Sequence, residues 1–569
     1  MWALLAVSAV VAGCSRENDH DRFVSLIENG TASNVPELIR GLQRQGDTKP
    51  DGAMVCTKSH CLEALRFITN QNPGVNYADW QAWWDANGKK PRAEWIRDGF
   101  RAAGLPVVEP PDEAYARALI HALGNGDRRR GWRSYLQKNA LDVLKNAPCG
   151  LVDSSAKNCL DSKDRVDRLG AIACIWELVL PDAKARLRNL NADADADVRE
   201  SALSALNGLI RKEPPTAGLA ITGADIEGDV RLVAPGATES QVFIGTVRQV
   251  GAERVEYLLS YDGEQRSVLW ERRCPDSLQS PPAISGDKIF FTCHDGKMYA
   301  ASSHTGETIW KTRTEEREGW GEDGKPIFLK GQIIVPMERR LWSFRQDNGE
   351  MLWNLEIHPV LGQAACVGGK IYVLTKNRWL LEISSAGEIL RETKADPDAP
   401  AHRADGSVAG KRVSDRWGAA ICADDKRVYV FSGYPQACAT AYSTASLAAG
   451  WEMKFTKSSV LNVAVPFAAP NILFLQTDRR QLAVDCSSGR VLWATMEEHQ
   501  NLNPYRPFGD RLIGAVDSMR GIEFRDLKTG ETTAHASLPD YVSRVCATGR
   551  SIFVAGFKGK PWILKMPEK

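Results

Sequence analysis

Thirteen cysteines and nine histidines are the side chains of this 569-residue chain best suited to nucleophilic, redox or metal chemistry. Their spacing restricts what they can do. Cys56-Thr-Lys-Ser-His-Cys61 and Cys149…Cys159 are the close cysteine pairs, and no second Cys/His pair with zinc-ligand spacing follows the first. No C-x-x-C redox pair and no C-x-x-C-H haem attachment occurs. G-x-S-x-G, H-E-x-x-H and the P-loop are likewise missing, and His294-Asp295-Gly296 reads as a tight turn rather than a catalytic group. The expectation is therefore no catalytic residue, no metal and no cofactor. In an oxidising compartment the two close pairs, Cys56/Cys61 and Cys149/Cys159, are expected as disulfides.

The charges are more informative. Lys+Arg 72 against Asp+Glu 71 leaves a net charge of +1, which argues against general polyanion binding and against nucleic acid as a partner. Cations nevertheless recur at one place in the pattern, between the second and third strands of successive strand groups in the C-terminal half. They are Lys297; Arg339 and Arg340; Lys376 and Arg378, with Trp379; Arg479 and Arg480; Arg520; and Lys558 and Lys560. Acids in the same connections are Asp295, Glu338, Asp478 and Asp517. If the strand groups are repeats of one unit, these connections share a face, and that face suits an acidic protein surface or an anionic polymer. The competing reading is ordinary solvated turn chemistry.

The repeats are visible from residue 217 onward, where short alternating strands are separated by Gly, Asp and Asn turns. A phrase recurs as Thr305-Gly-Glu-Thr-Ile-Trp310, Asn348-Gly-Glu-Met-Leu-Trp353 and Ser488-Gly-Arg-Val-Leu-Trp493. Weaker copies end at Trp270, Arg391, Trp451 and Ala534, so the steps between ends are 40, 43, 38, 60, 42 and 41 residues. A period near 40 built from four strands is a propeller blade, and the 60-residue step holds an insertion over Ala395–Trp417. The Gly makes the turn into the outermost strand, and the Trp is the flat wedge between neighbouring blades. That accounts for 17 Trp against 16 Phe. After Ala534 one more strand group remains with three strands of its own, and the strand-like piece around Leu219–Ala224 is expected to supply its fourth and close the ring. The count is eight blades, with seven as the alternative. Cys366, Cys422 and Cys546 are expected at equivalent positions just before the second strand of their blades, in a small apolar slot.

These phrases resemble the pyrroloquinoline-quinone-like propeller repeats found in quinoprotein alcohol dehydrogenases and in BamB-type lipoproteins of outer-membrane assembly. The resemblance covers about 350 residues. It implies the fold; the function it implies is divided. The dehydrogenases resemble this chain in repeat but carry two adjacent cysteines over the quinone and a Glu/Asn/Asp calcium site with a catalytic Asp. No two cysteines are adjacent here, and no such site can be placed. The BamB-type alternative implies non-catalytic binding.

From about Asp21 to Lys212 apolar residues recur every three to four positions, which predicts helices. Asp197-Val-Arg-Glu-Ser-Ala-Leu-Ser-Ala-Leu-Asn-Gly-Leu-Ile210 places Val198, Ala202, Ala205, Leu206 and Leu209 on one stripe, with Asp197 at the cap. Preceded by a helix over Leu180–Leu190, it resembles a HEAT repeat. Upstream, Trp80, Trp83 and Trp84 lie on a short helix with Asp79 as cap and Gly88 as its end. Such a stripe is core or a sugar-stacking platform, and we read it as core.

The chain opens Met-Trp-Ala-Leu-Leu-Ala-Val-Ser-Ala-Val-Val-Ala-Gly-Cys14-Ser15. The apolar run is too short to span a bilayer. It resembles an export signal ending in a bacterial lipobox, which implies lipidation at Cys14, and Ser15 implies the outer membrane. No Lys or Arg precedes the run. The expected architecture is thus a signal peptide at 1–13, an all-α HEAT-like domain at 14–213 and an all-β PQQ-like propeller at 217–569. The expected protein is a non-catalytic scaffold, lipid-anchored in the bacterial envelope and facing the periplasm or the cell surface. It would grip a protein partner with a propeller face, and the outer-membrane assembly machinery is the partner the resemblance suggests. The alternatives are an anionic-glycan binder and a degenerate quinoprotein.

Overall fold

The structure is a computed structural model. It describes residues 17–569 apart from 44–56, 126–133, 217–219, 237, 280, 314–324, 337–338, 359, 361–363, 396–419, 433–437, 456–460, 468–470, 478–479, 497–504, 517–519, 549–550, 557–560 and 566–569. The chain forms two compact units, Met1–Leu209 and Ile210–Lys569. Cys14, Cys56, Arg479, Lys558, Lys560 and nearly all of the insertion in the long step lie outside the described residues.

The first unit is helical. Among the described residues its α-helices are α1 (Glu17–Asn29), α2 (Val35–Gly41), α3 (Thr57–Thr69), α4 (Tyr77–Asn87), α5 (Arg92–Ala102), α6 (Glu113–Gly124), α7 (Tyr135–Asn146), α8 (Cys149–Leu160), α9 (Arg165–Leu178), α10 (Ala183–Asn189) and α11 (Ala196–Lys212), whose last turn runs on past Leu209. The expected stripe of α11 is buried throughout. Its start differs by two residues from expectation: Asp195, not Asp197, accepts from the N–H groups of Asp197 and Val198 at 2.9 and 3.1 Å. In α4 the cap is Asn76, which accepts from the Asp79 N–H at 3.0 Å. Asx side chains bonding two or three residues ahead satisfy the first orphan donors of a helix. Trp80 is fully buried, and the half-buried Trp83 and Trp84 meet Trp95 edge-on at 5.5 and 5.7 Å between ring centroids. This is a packed aromatic core.

Cys149 and Cys159 correct the sequence reading. Both stand on α8, ten residues apart, and both are free thiols. At 1.5 Å of rise per residue they are about 15 Å apart along one helix, far beyond the roughly 6 Å that a disulfide spans between Cα atoms. Cys61 is buried in the core beside Gly41.

The second unit is an eight-bladed propeller. Every sheet has four antiparallel strands, which we letter a to d outward from the axis. Blades 1 to 7 span 229–273, 283–313, 327–356, 365–394, 420–454, 461–496 and 506–537. Blade 8 takes its a to c strands from 542–565 and its d strand from Ala220–Gly223, which pairs antiparallel with Pro561–Lys565. The N-terminal strand therefore closes the ring, and the core side chains of blades 8 and 1 form one cluster.

The repeated phrase holds the blades together. Trp270, Trp310, Trp353, Trp451 and Trp493 sit in d strands, and each indole N–H reaches into the next blade. The acceptors are the carbonyls of Ser303, Gln346, Ser385, Cys486 and Leu527, at 2.9, 3.2, 2.9, 2.9 and 2.8 Å. The first four rings lie on Gly306, Gly349, Gly387 and Gly489, where a Cβ would come within 2.5–2.7 Å of the ring. These glycines also have φ between +72° and +85°, so the turn and the ring both require Gly. The junction of blades 4 and 5 departs from this in both partners. Blade 4 carries Arg391 in place of Trp, and blade 5 carries Leu447 at φ +56° in place of Gly. There the guanidinium bonds the carbonyls of Thr444, at 2.9 Å, and Ala445, as well as the buried Glu382. A side chain at the turn leaves no room for an indole, and a narrower planar donor takes over its hydrogen bonds.

Candidate partner-binding face

Antiparallel order turns the strand-b and strand-c ends of successive blades to the same side of the ring, so the described ones among the expected cations share a face. Their surroundings divide them. Arg339 and Arg520 are exposed. Arg520 lies 4.7 Å from the ring centroid of Tyr541, itself 43% exposed on the connection from blade 7 to blade 8. Guanidinium and phenol ring together make a cation–π pair with one face to solvent. Lys297 is tied back to Asp295 at 3.1 Å, and Asp295 also accepts from the Tyr299 hydroxyl at 2.5 Å. Burial, and then the Asp295 carboxylate, hold the Tyr299 phenol protonated well above its usual range. Arg340 pairs with Glu356 across the sheet at 3.5 Å. Lys376 and Arg480 are half-buried at the ends of their turns. Trp379 packs against the apolar cluster between blades 3 and 4.

Arg378 is corrected by the structure. It is 5% exposed and has φ +67°, so its turn folds the residue inward and its charge is not offered to a partner on this face. A second correction concerns register. Cys422 and Cys546 pair with Tyr429 and Phe553, which are equivalent positions, whereas Cys366 pairs with Ile371, one step away from the equivalent Tyr372. In a strand, one step turns the side chain to the other sheet face.

The sequence reading missed the most charged part of the propeller interior. On strand c of blade 7, Glu523 and Arg525 are both 0% exposed. The matching positions hold Leu259 and Tyr261, Tyr299 and Ala301, Trp342 and Phe344, Leu381 and Ile383, Thr440 and Tyr442, and Leu482 and Val484 in blades 1 to 6. Glu523 accepts from Arg211 at 2.8 and 3.1 Å, from Arg525 at 2.8 Å, from Thr532 at 2.9 Å and from the Tyr505 hydroxyl. Arg525 goes on to Gln481 at 2.5 Å and Thr495 at 2.9 Å. Burial alone would raise the Glu523 pKa. The charges of Arg211 and Arg525, with the bonds from Arg211 and Tyr505, outweigh it and hold the carboxyl well below its ordinary range. The signal was present in Gly521-Ile-Glu-Phe-Arg-Asp526, where two charges fall on alternate positions that every other blade fills with apolar or uncharged side chains.

Comparison with known proteins agrees with this architecture. The family profile described as outer membrane protein assembly factor BamB matches residues 224–365 and 399–560, more than half of the chain. The chain belongs to this family. Among solved structures it is similar to BamB from Moraxella catarrhalis, with 11% identity, a TM-score of 0.46, and 62% of this chain and 99% of that one covered. It is also similar to the C-terminal WD40 domain of Sif2, with 12% identity, a TM-score of 0.47, and 61% and 99% covered. Curated relatives include the quinoprotein alcohol dehydrogenase PedH of Pseudomonas putida KT2440, 26% identical over 112 residues, which are 18% of each chain. Another is the quinohemoprotein alcohol dehydrogenase ADH IIB of Pseudomonas putida, 26% identical over 118 residues, 19% of this chain and 17% of that one. The chain thus spans less than a fifth of the length of these dehydrogenases. Among the described residues no helix is long and apolar enough to cross a membrane.

Proposed function

We propose that this protein is a non-catalytic scaffold of the bacterial envelope. It holds a protein partner on the propeller face formed by the b-to-c turns and d-to-a connections. Membership of the BamB family supports the reading, and outer-membrane protein assembly is the process it suggests. The observation that carries the choice of face is the pair of exposed arginines on it, Arg339 and Arg520, the latter joined to the exposed ring of Tyr541. Arginine and tyrosine are the side chains most often responsible for binding energy at protein interfaces. The helical unit is read as a HEAT-like scaffold, and Cys14 as the lipidated residue holding the chain at the outer membrane. Crosslinking and recovery of the tagged protein from its own envelope, beside an Arg339→Ser, Arg520→Ser variant, tests this. A partner recovered with the wild type and lost with the variant supports the reading. A partner recovered equally with both moves the site elsewhere, and no protein partner at all overturns it in favour of an anionic glycan. The short quinoprotein matches favour a second reading, a degenerate quinoprotein, which predicts bound quinone absorbance in the purified protein.

A further inference from the structure

The blades of the ring are not sealed to one another equally. The wedge position of a blade is the strand-d residue that lies, across strand c, from the third residue of strand b. Blades 1, 2, 3, 5 and 6 carry Trp there and blade 4 carries Arg391. Blade 7 carries Ala534, and blade 8 carries Thr222, which pairs with Ile563. Neither side chain has a ring or an N–H to send into the next blade. The receiving turns differ too. Blade 1 has Arg266 at φ +57° where the turns that hold a ring have Gly. Blade 8 has no c-to-d turn at all, because its strand c is Pro561–Lys565 and its strand d is Ala220–Gly223. The closing blade therefore lacks the indole seal on both sides. It is also the one blade of the eight that can lose its outer strand without breaking a hairpin.

Its two junctions are held differently. Between blades 7 and 8, Trp562 on strand c packs into the shared core. The chain entering the propeller also fastens itself to blade 7. Arg211 bonds the buried Glu523, and further along Thr216 meets His535 on strand d, its N–H donating to the His535 carbonyl at 3.0 Å and its hydroxyl accepting from the His535 N–H at 3.1 Å. Pro214 and Pro215 stiffen the stretch between these two anchors. The same chain then forms strand d of blade 8 and runs on into blade 1. Between blades 8 and 1 the shared core is apolar apart from two hydroxyls. Tyr261 is fully buried and meets Phe553 edge-on at 6.3 Å, and the buried Ser551 abuts Gly263. Among the described residues neither hydroxyl has a hydrogen-bond partner, which weakens the contact.

We propose that the propeller opens reversibly at the junction of blades 8 and 1, strands a to c of blade 8 parting from Ala220–Gly223, and that Arg211–Thr216 is a strap on blade 7 that keeps this seam shut. Fastened to blade 7, the strap holds Ala220–Gly223 close to Pro561–Lys565, so re-pairing closes a short loop at high effective concentration. Released, the strand returns through a longer loop, and strand c of blade 8 stays longer as an unpaired edge. The device does not depend on the partner reading, since neither Arg339 nor Arg520 belongs to the strap or to this junction.

The test is native-state hydrogen exchange of the full chain, read by mass spectrometry on peptides. In the wild type, peptides covering Ala220–Gly223, Ser551–Gly556 and Pro561–Lys565 should exchange together, about tenfold or more faster than strands b and c of blades 2 and 3. Thr216→Pro removes both bonds to His535 and leaves Glu523 its arginines. It should speed exchange in blade 8 by about a further tenfold and leave blades 2 and 3 unchanged. Tyr261→Phe removes one of the unbonded hydroxyls and should slow exchange in blade 8; it keeps the test decisive if the proline variant does not fold. Blade 8 protected as well as blades 2 and 3 in the wild type overturns the proposal. So does a Thr216→Pro protein that exchanges faster in all blades alike or in none, or a Tyr261→Phe protein whose blade 8 exchanges as fast as the wild type or faster.

Discussion

The junction between blades 2 and 3 allows the blade-locking mechanism to be tested quantitatively. Trp310 is 9% exposed, donates to the Gln346 carbonyl and lies on Gly349. Replacing it by Ala removes a buried indole and its hydrogen bond, for which the expected loss is about 3–5 kcal/mol. Gly349→Ala acts on the same contact from the other side. Its φ of +74° costs an alanine about 1–2 kcal/mol, and the added Cβ, which would come within 2.5 Å of the Trp310 ring, costs about 1–3 kcal/mol more as overpacking. In the double variant the ring that the methyl would strike is gone, and only the backbone cost remains. Gly349→Ala should therefore be about 1–3 kcal/mol cheaper in the Trp310→Ala background than in the wild type. The assay is the midpoint of the propeller's urea transition for the four proteins, compared at constant slope. Additivity within about 0.5 kcal/mol would refute the claim that the ring and the glycine form one contact.

Three further outcomes follow from the same structure. Glu523→Gln should destabilise the propeller by about 3–5 kcal/mol, because Arg211 and Arg525 lose the carboxylate between them; and since the folded-state pKa is depressed, this stabilisation is complete above the ordinary carboxylate range and is lost as pH falls below it, so a pH series of melts should show the wild type losing stability on acidification and the variant losing less. Under native conditions the exposed Cys149 should be alkylated while Cys159, buried and with its thiol pushed up to about 11, is protected, and in denaturant without reductant both should alkylate; a 149–159 disulfide in the peptide map would contradict the helix that carries them. Arg391→Trp should destabilise the junction of blades 4 and 5, because Leu447 is buried where the other turns have Gly, and a Leu447→Gly change in the same protein should recover most of the loss in thermal melts.

Much of the propeller was legible because its constraints are local and repeated. A turn that needs a positive φ and a ring that needs a missing Cβ fix Gly and Trp at constant separation, and the three-strand remainder after Ala534 called for a strand near Leu219–Ala224, found at Ala220–Gly223. What was misread depended on the direction of side chains. The period identified the b-to-c turns but not that the Arg378 turn folds inward. Cys149 and Cys159 were read as a disulfide from their closeness in sequence, although Val152, Ala156 and Cys159 at helical spacing already placed them on one helix. Glu523 and Arg525 escaped notice because their partners, Arg211, Tyr505 and Gln481, are distant in sequence, and composition carries no trace of such a network.

The central claim is that one face of the propeller takes a protein partner. A photo-crosslinking residue placed in turn at Arg339, at Arg520 and at Asp347, which lies in a c-to-d turn on the opposite face, tests it in the intact envelope. Crosslinks to one protein from positions 339 and 520 and none from 347 are the predicted result. Crosslinks from 347 alone, or equally from all three, would contradict it.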